Sequence, residues 1–395
     1  MIIYIALLLY IIFLICKYDF NKCKKGKSIH FYILLVLFIL VAGLRYRLGV
    51  DTTRYMLAFE GLSTLSNFDL STINDYKYDP LFLLLILSCK TIYPEFFFFQ
   101  LVQATLVNVL VLQFFRKHTQ KYFVAILLYY VMEYVNYNME VLRESCAVAI
   151  FLWAWGFYAE NKKTKFLLCL IPAYLFHTSA IMLFLFALPI IFNIDKKIHI
   201  DASLIIVGLV AGVFVSFIIY FILHNMDFIL MNPRILEKMD VYQDTETQIN
   251  ALGIISIFLL NIFIPFWCLI RGPKIKEYNQ LEYTLIFGAF LSLLCIPIYI
   301  FTRYNNYFFP FIIIAVVNLI SISKIRIHSN FYIKPTIFTC IFLFSPYFVN
   351  QLLIMSSSVE GSKYKNYQRY IPYSSVFDET EDPDREKLFS LKNSF

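Results

Sequence analysis

The stretch Arg45-Tyr46-Arg47-Leu48-Gly49-Val50-Asp51-Thr52-Thr53-Arg54-Tyr55 follows directly on an apolar run, residues 31 to 44. With its flanks that run is long enough to cross a bilayer. Three arginines and an aspartate therefore stand at a membrane edge. Isolated charge at that depth is costly, so a cluster implies a partner. Arginines in this number select an anion.

Working outward, the same pattern decides the class. The chain has 395 residues, 60% of them hydrophobic and 15% charged. A soluble domain is nearer a quarter charged, and here the apolar residues fall in runs of spanning length, from 1–16 to 335–355. The expected fold is an all-α polytopic membrane protein. A β-barrel would alternate in short segments, and none are visible. Residues 1–355 read as a single membrane domain. The polar, Ser-rich remainder, 356–395, reads as a tail, disordered in part. The first 16 residues lack a basic leader and a small-residue cleavage site, so they read as a retained helix.

The net charge of +7 is no sign of nucleic-acid binding, because the lysines and arginines lie mostly in short loops between apolar runs. Six of the cysteines (Cys89, Cys146, Cys169, Cys268, Cys295 and Cys340) lie within or beside apolar runs. They show neither CxxC pairing nor metal-ligand spacing and read as small core residues, with no metal site or cofactor expected.

Orientation follows from the basic loops. Lys17 to Lys27, Arg116 to Lys121, Lys162 to Lys165, Lys196 with Lys197, Arg271 to Lys276 and Lys324 to Lys334 mark the cytoplasmic side. The short run 81–93 breaks the alternation unless it is re-entrant or interfacial, which protein surroundings permit. About 12 crossings result, in a range of about 11 to 13. Loops 45–80 and 225–250, segments 136–145, 177–179 and 303–304, and the tail then share the outer face.

Four groups on that face carry chemistry. Asp51 is either a general base or the N-cap of an interfacial helix. Arg45, Arg47 and Arg54, with Tyr55, suit an anion, though outer arginines also snorkel. Glu140 lies three and four residues before Arg143 and Glu144, so the three are expected to share a helical face, with a local Glu–Arg pair as the plainer reading. Arg143 in a first turn opposes the helix dipole, which fits a phosphate at a helix N-terminus. His177-Thr178-Ser179 precedes another inward helix; His177 is a structural histidine or a base, and Thr178 or Ser179 a cap. Arg303, with Tyr304, Asn305 and Asn306, suits phosphate and sugar hydroxyls, or an aromatic belt with one arginine.

These residues resemble the EpsG-like branch of the Wzy-type O-antigen, capsule and exopolysaccharide polymerases. The resemblance rests on Arg45 through Tyr55, Arg143 with Ala147-Val148-Ala149-Ile150, Lys162 to Phe166, Phe176 to Ala180, and Arg303-Tyr304, in that order. Threonine often stands in the family where this chain has Val50, and glutamine where it has Glu144. The resemblance implies a GT-C-like helical enzyme of the cytoplasmic (inner) membrane, its site facing the periplasm or cell exterior. Such enzymes polymerise oligosaccharide units carried on polyprenyl diphosphate, alongside a flippase and a chain-length regulator. Arg45, Arg47, Arg54, Arg143, Arg303, Tyr55 and Asn306 would then bind diphosphate and substrate. Asp51, His177 and Glu140 are the candidate bases. A lipid-linked glycan ligase would use the same diphosphate site. A flippase would need midplane ionisable residues and repeats, which the chain lacks.

Overall fold

A computed structural model describes residues 2–21, 23–67, 78–195, 251–272, 278–295, 303–322, 333–358, 365–378 and Arg385. The runs and loops read at 202–224 and 225–250 lie outside these residues. The described residues are nearly all helical and contain no strand. Four helical stretches, Ile2–Phe20, Phe96–His118, Leu252–Arg271 and Arg303–Ser321, are long and apolar enough to cross a bilayer. The protein is a helical membrane protein.

The chain divides into two compact units, one of residues 1–185 and 353–395, the other of 186–352. The first contains α1 (Ile2–Leu14), α2 (Lys27–Gly43), α3 (Val50–Gly61), α4 (Pro80–Ile92), α5 (Phe96–His118), α6 (Tyr122–Met132), α7 (Leu142–Ala159) and α8 (Lys163–Phe176). Helix α9 (Met182–Ile191) leads into the second unit. That unit contains α10 (Ala251–Ile257), α11 (Ile264–Arg271), α12 (Tyr278–Cys295) and α13 (Arg303–Ile322), and α14 (Ile333–Ser356) leads back.

Helix is the natural form for these runs, since it satisfies every backbone group without water. On α1, Leu7, Ile11 and Leu14 turn inward while Ile2, Ile5, Leu9 and Phe13 are exposed. That is the surface of a lipid-facing helix. Between helices lipid supplies no hydrophobic driving force, so close packing and polar bonds hold them. Gly43 of α2 lies so close to α5 that a Cβ there would come within 2.8 Å of the Leu101 Cα. Ala147, Ala149 and Ala154 of α7 are fully buried.

Helices α2 and α5 run antiparallel. At one end Arg116 donates to Tyr32 Oη (3.1 Å) and Ser28 Oγ (3.5 Å). Lys27 Nζ reaches Asp19 Oδ1 (3.0 Å) and the Gln120 carbonyl (3.2 Å). Glu160 takes Lys117 (2.7 Å) and Lys162 (2.6 Å), which hold its carboxyl well down, at about 2. Three basic loops thus collect at one end of this unit. The opposite end holds residues 44–49, 136–143 and part of the tail.

The 13 residues of α4 span roughly 20 Å, too little for a hydrocarbon core. Its first end meets α7, through Asp79 and Arg143 (3.4 Å). At its other end Lys90 donates to the carbonyls of Phe59 (2.6 Å), Glu60 (3.0 Å) and Leu62 (2.5 Å). Phe59 packs on Phe96 and Phe99 at the start of α5. Both ends of α4 therefore sit at the Arg45 end of the unit, and its Lys90 caps the C-terminus of α3.

Candidate functional site

The site begins with a turn. After α2 the chain passes through Arg47 (φ 50°) and Gly49 (φ 87°), both in the left-handed region. At Gly49 a Cβ would stand 2.5 Å from the Met139 carbonyl oxygen, so conformation and space both require glycine. Gly49 is also the N-cap of α3, a position where a side chain normally satisfies the helix's orphan N–H groups. It has none to offer.

That role is taken from another element. Glu140 Oε2 accepts from the Asp51 backbone N–H at 3.3 Å. Thr52 Oγ1 donates to the Met139 carbonyl at 2.8 Å. Residues Asn136–Glu140 are a π-helical turn, held in register by an amide relay through the core. Asn108 of α5 donates to Asn138 Oδ1 at 2.7 Å, and Asn138 Nδ2 donates to the Tyr134 carbonyl at 2.8 Å. Such buried bonds are worth about 1 kcal/mol each in a membrane bundle. Here they fix where Glu140 points.

This corrects one expectation. Glu140 and Arg143 do not share a continuous helical face, because Val141 (φ −93°, ψ 53°) separates the π turn from α7. Arg143 instead donates from Nε to Tyr55 Oη (2.9 Å) and pairs with Asp79 (3.4 Å), its guanidinium 5.6 Å from the Tyr78 ring centre. A second correction concerns Asp51: it lies in the first turn of α3 and is not its N-cap. There its charge favours the helix dipole, and it pairs with Arg54 at 3.7 Å, both side chains open to solvent. Arg45 turns inward, fully buried, donating to the Ala42 carbonyl and to Thr52 Oγ1 (3.0 Å). Burial pulls its guanidinium down to about 10, still a cation at neutral pH.

His177 caps the 3-10 turn Thr178–Ile181: its Nδ1 accepts the Ser179 N–H at 3.2 Å and lies 2.5 Å from Ser179 Oγ. The cap is the histidine itself, and not Thr178 or Ser179. Arg303 and Asn306 lie in the second unit, in the first turn of α13, with Arg303 exposed. Their neighbour Asn305 accepts from Ser292 of α12 at 2.7 Å. Arg45, Arg54, Tyr55, Asp51, Glu140 and Arg143 are thus gathered around α3.

The sequence reading missed the tail altogether as a contributor. Gly49 N donates to the Arg369 carbonyl (3.1 Å), Tyr46 N to the Ser374 carbonyl (2.9 Å), and Val376 N to the Leu44 carbonyl (3.0 Å). Tyr370 Oη donates to Glu140 Oε1 at 2.5 Å, and Tyr373 Oη to the Val41 carbonyl at 3.0 Å. Asp79, Tyr78 and Lys90 were missed as well. Only the aromatic density of Tyr367, Tyr370 and Tyr373 in a polar tail hinted at packing.

Burial, and then the neighbouring Asp51 charge, raise the Glu140 carboxyl above the usual carboxylate range. The folded protein therefore holds this proton more tightly than the unfolded chain does. Stability from this group is present at acid pH and is lost as pH rises through the raised value. Thermal unfolding in detergent, followed as pH rises from the ordinary carboxylate value through the raised one, should show wild type losing more stability than Glu140→Gln. Equal slopes would refute the assignment.

No curated protein and no solved structure matches the chain. A family match does, over residues 28–375. The matched span opens at the second residue of α2 and closes at Ser375, the tail residue that bridges to Arg45. It therefore takes in the arginine turn, the π turn and the tail segment lying on both, and with that coverage the chain belongs to the EpsG family.

Proposed function

We propose that the protein is a polysaccharide polymerase, joining polyprenyl-diphosphate-linked oligosaccharide repeat units by glycosyl transfer on the outer side of the membrane. Membership of the EpsG family supports a polymerase role in polysaccharide biosynthesis. The observation that carries the chemistry is the pairing of an accessible carboxylate with guanidinium groups around one short helix. Asp51 and Arg54 stand in the open first turn of α3, and Arg143 is bonded to Tyr55 one turn on.

In this reading the acceptor hydroxyl of one unit attacks the anomeric carbon of the chain on another lipid. The new glycosidic C–O bond forms as the anomeric carbon–phosphate oxygen bond breaks. The hydroxyl proton goes to Asp51, and polyprenyl diphosphate leaves with the bonding electrons. Arg143 and Arg54 offset the charge that develops on the phosphate oxygens, an electrostatic contribution that grows in the transition state. Arg143 meets the diphosphate by exchanging Asp79 for it, a two-pronged exchange that guanidinium geometry suits. Buried Arg45 holds α2 to α3 and keeps positive potential beneath the site. Arg303 and Asn306 are assigned to sugar hydroxyls and phosphate on the second unit.

The proposed architecture crosses the membrane about 12 times, with α4 interfacial and the basic end of the first unit in the cytoplasm. A lysine-rich end opposite an end holding Asp51, Glu140 and Arg143 supports that sidedness. In a cysteine-free background, Glu60→Cys should react with a membrane-impermeant thiol reagent on intact cells, and Lys162→Cys only after lysis. The reverse pattern would place the site in the cytoplasm and end the reading.

A further inference from the structure

The strap formed by the tail ends on the residue that organises the site. From Asn366 to Val376 the chain lies along residues 41–49, bonded by backbone at Gly49, Tyr46 and Leu44. Its inner side is tied by Arg385, almost fully buried, which donates to the carbonyls of Gln368 (3.1 Å) and Pro372 (2.5 Å) and to Ser374 Oγ (3.2 Å). A strap needed only for packing would present apolar groups to the bundle. This one delivers a hydroxyl to a half-buried carboxylate.

Glu140 then has a partner on each oxygen. Oε1 accepts from Tyr370, 230 positions away, and Oε2 accepts from the Asp51 N–H. The second bond replaces the missing cap of α3, because Gly49 at the cap position has no side chain. An unpartnered carboxylate oxygen could swing, and the first turn of α3 would fray with it, as helix ends do when their orphan donors are unmet. At its other end α3 is held by Lys90. The Glu140 carboxylate therefore restrains the turn carrying Asp51 from the cap side, beside the bonds that Thr52 makes to the Met139 carbonyl and to Arg45.

We propose that Tyr370 is a positioning residue of the site: its hydroxyl fixes Glu140, which caps α3 from outside and so sets the place of Asp51. The inference rests on the polymerase reading for its kinetic consequence, though not for its structural one. It makes the C-terminal strap a part of the site, and it makes Glu140 a holder of the backbone in place of a second base.

The test uses the full-length protein in lipid nanodiscs with synthetic polyprenyl-diphosphate repeat units, and Tyr370→Phe, which keeps the ring and removes the hydroxyl. Hydrogen exchange of the peptide covering 49–56 should quicken about fivefold, while α5 and α7 stay protected. The turnover number should fall about tenfold with KM changed less than about twofold, since the loss falls on geometry at the reacting centre. The acid limb of the pH–rate profile should stay in place. Were Glu140 itself the base, loss of the bond that lowers its proton affinity would move that limb upward, and such a shift overturns the proposal. Unchanged exchange together with wild-type turnover also overturns it. Should Tyr370→Phe fail to insert, Glu140→Asp carries the same test, because the shorter side chain withdraws from both partners. The same local exchange and the same loss of turnover are expected, and wild-type behaviour refutes. A wild-type protein that forms no polymer from these units refutes the polymerase reading, while the exchange result still judges the strap by itself.

Discussion

Replacing Asp51 with asparagine should abolish polymer formation while leaving the protein folded, with lipid-linked single units accumulating on the outer leaflet. The expected loss in rate is about 100-fold or more, the usual contribution of a positioned general base. The structure makes this substitution sharper than the sequence alone allowed. Because Gly49 holds the cap position, asparagine at 51 leaves the cap untouched. The ion pair with Arg54 at 3.7 Å is solvent-exposed, and pairs of that kind contribute little. The lost first-turn charge costs about 0.3–1 kcal/mol at most. A fold nearly as stable as wild type with no long chains is therefore the signature of lost basicity. A normal ladder of polymer lengths would remove Asp51 from the reaction. Units held on the cytoplasmic leaflet would instead point to a flippase.

Arg143→Lys should be nearly as damaging, with polymer falling by about 100-fold while the protein still inserts. Lysine keeps the charge and loses the planar fork. In the structure that fork is used in two directions at once, Nε to the Tyr55 hydroxyl and Nη1 to Asp79. An ammonium can occupy only one of these places well. Tyr55 is itself buried, in contact with the rings of Tyr78 and Phe82, so its hydroxyl would be left without its guanidinium partner. The measurement is polymer length on gels with parallel quantitation of membrane-inserted protein. Full activity in the lysine variant would mean that Arg143 serves orientation in the membrane and not phosphate chemistry.

Both experiments turn on residues the sequence singled out, as it did their partners Arg54 and Tyr55, yet Asp79 came from elsewhere. Arg143 was legible because arginine in a first turn runs against the helix dipole. Asp79 was not, being a single acid before a proline with no pattern around it. Glu140 was legible as a charge in an outer segment. Its assignment to the same helical face as Arg143 failed because π turns leave no mark in hydrophobic spacing. His177 was ambiguous, and its ring nitrogen proved to serve as a local cap.

What the sequence by itself determined is the helical membrane class, the family, and the gathering of basic loops at one end of the first unit, away from the Arg45–Tyr55 turn. The class and the basic loops follow from composition along short windows, since a bilayer demands a minimum apolar length and charge in it is costly wherever it occurs. The family follows from the match over residues 28–375. What only the tertiary structure decided is which way each charged group faces. Arg45 and Arg54 are the same residue type nine positions apart, and one is fully buried while the other is open to solvent. Arg45 turns inward because the carbonyl of Ala42 and the hydroxyl of Thr52 await a donor there. The tail's part in the site was likewise decided by a hydrogen bond between residues 230 apart. Such a bond depends on two surfaces meeting in space, and meeting in space leaves no periodicity for a single chain to show.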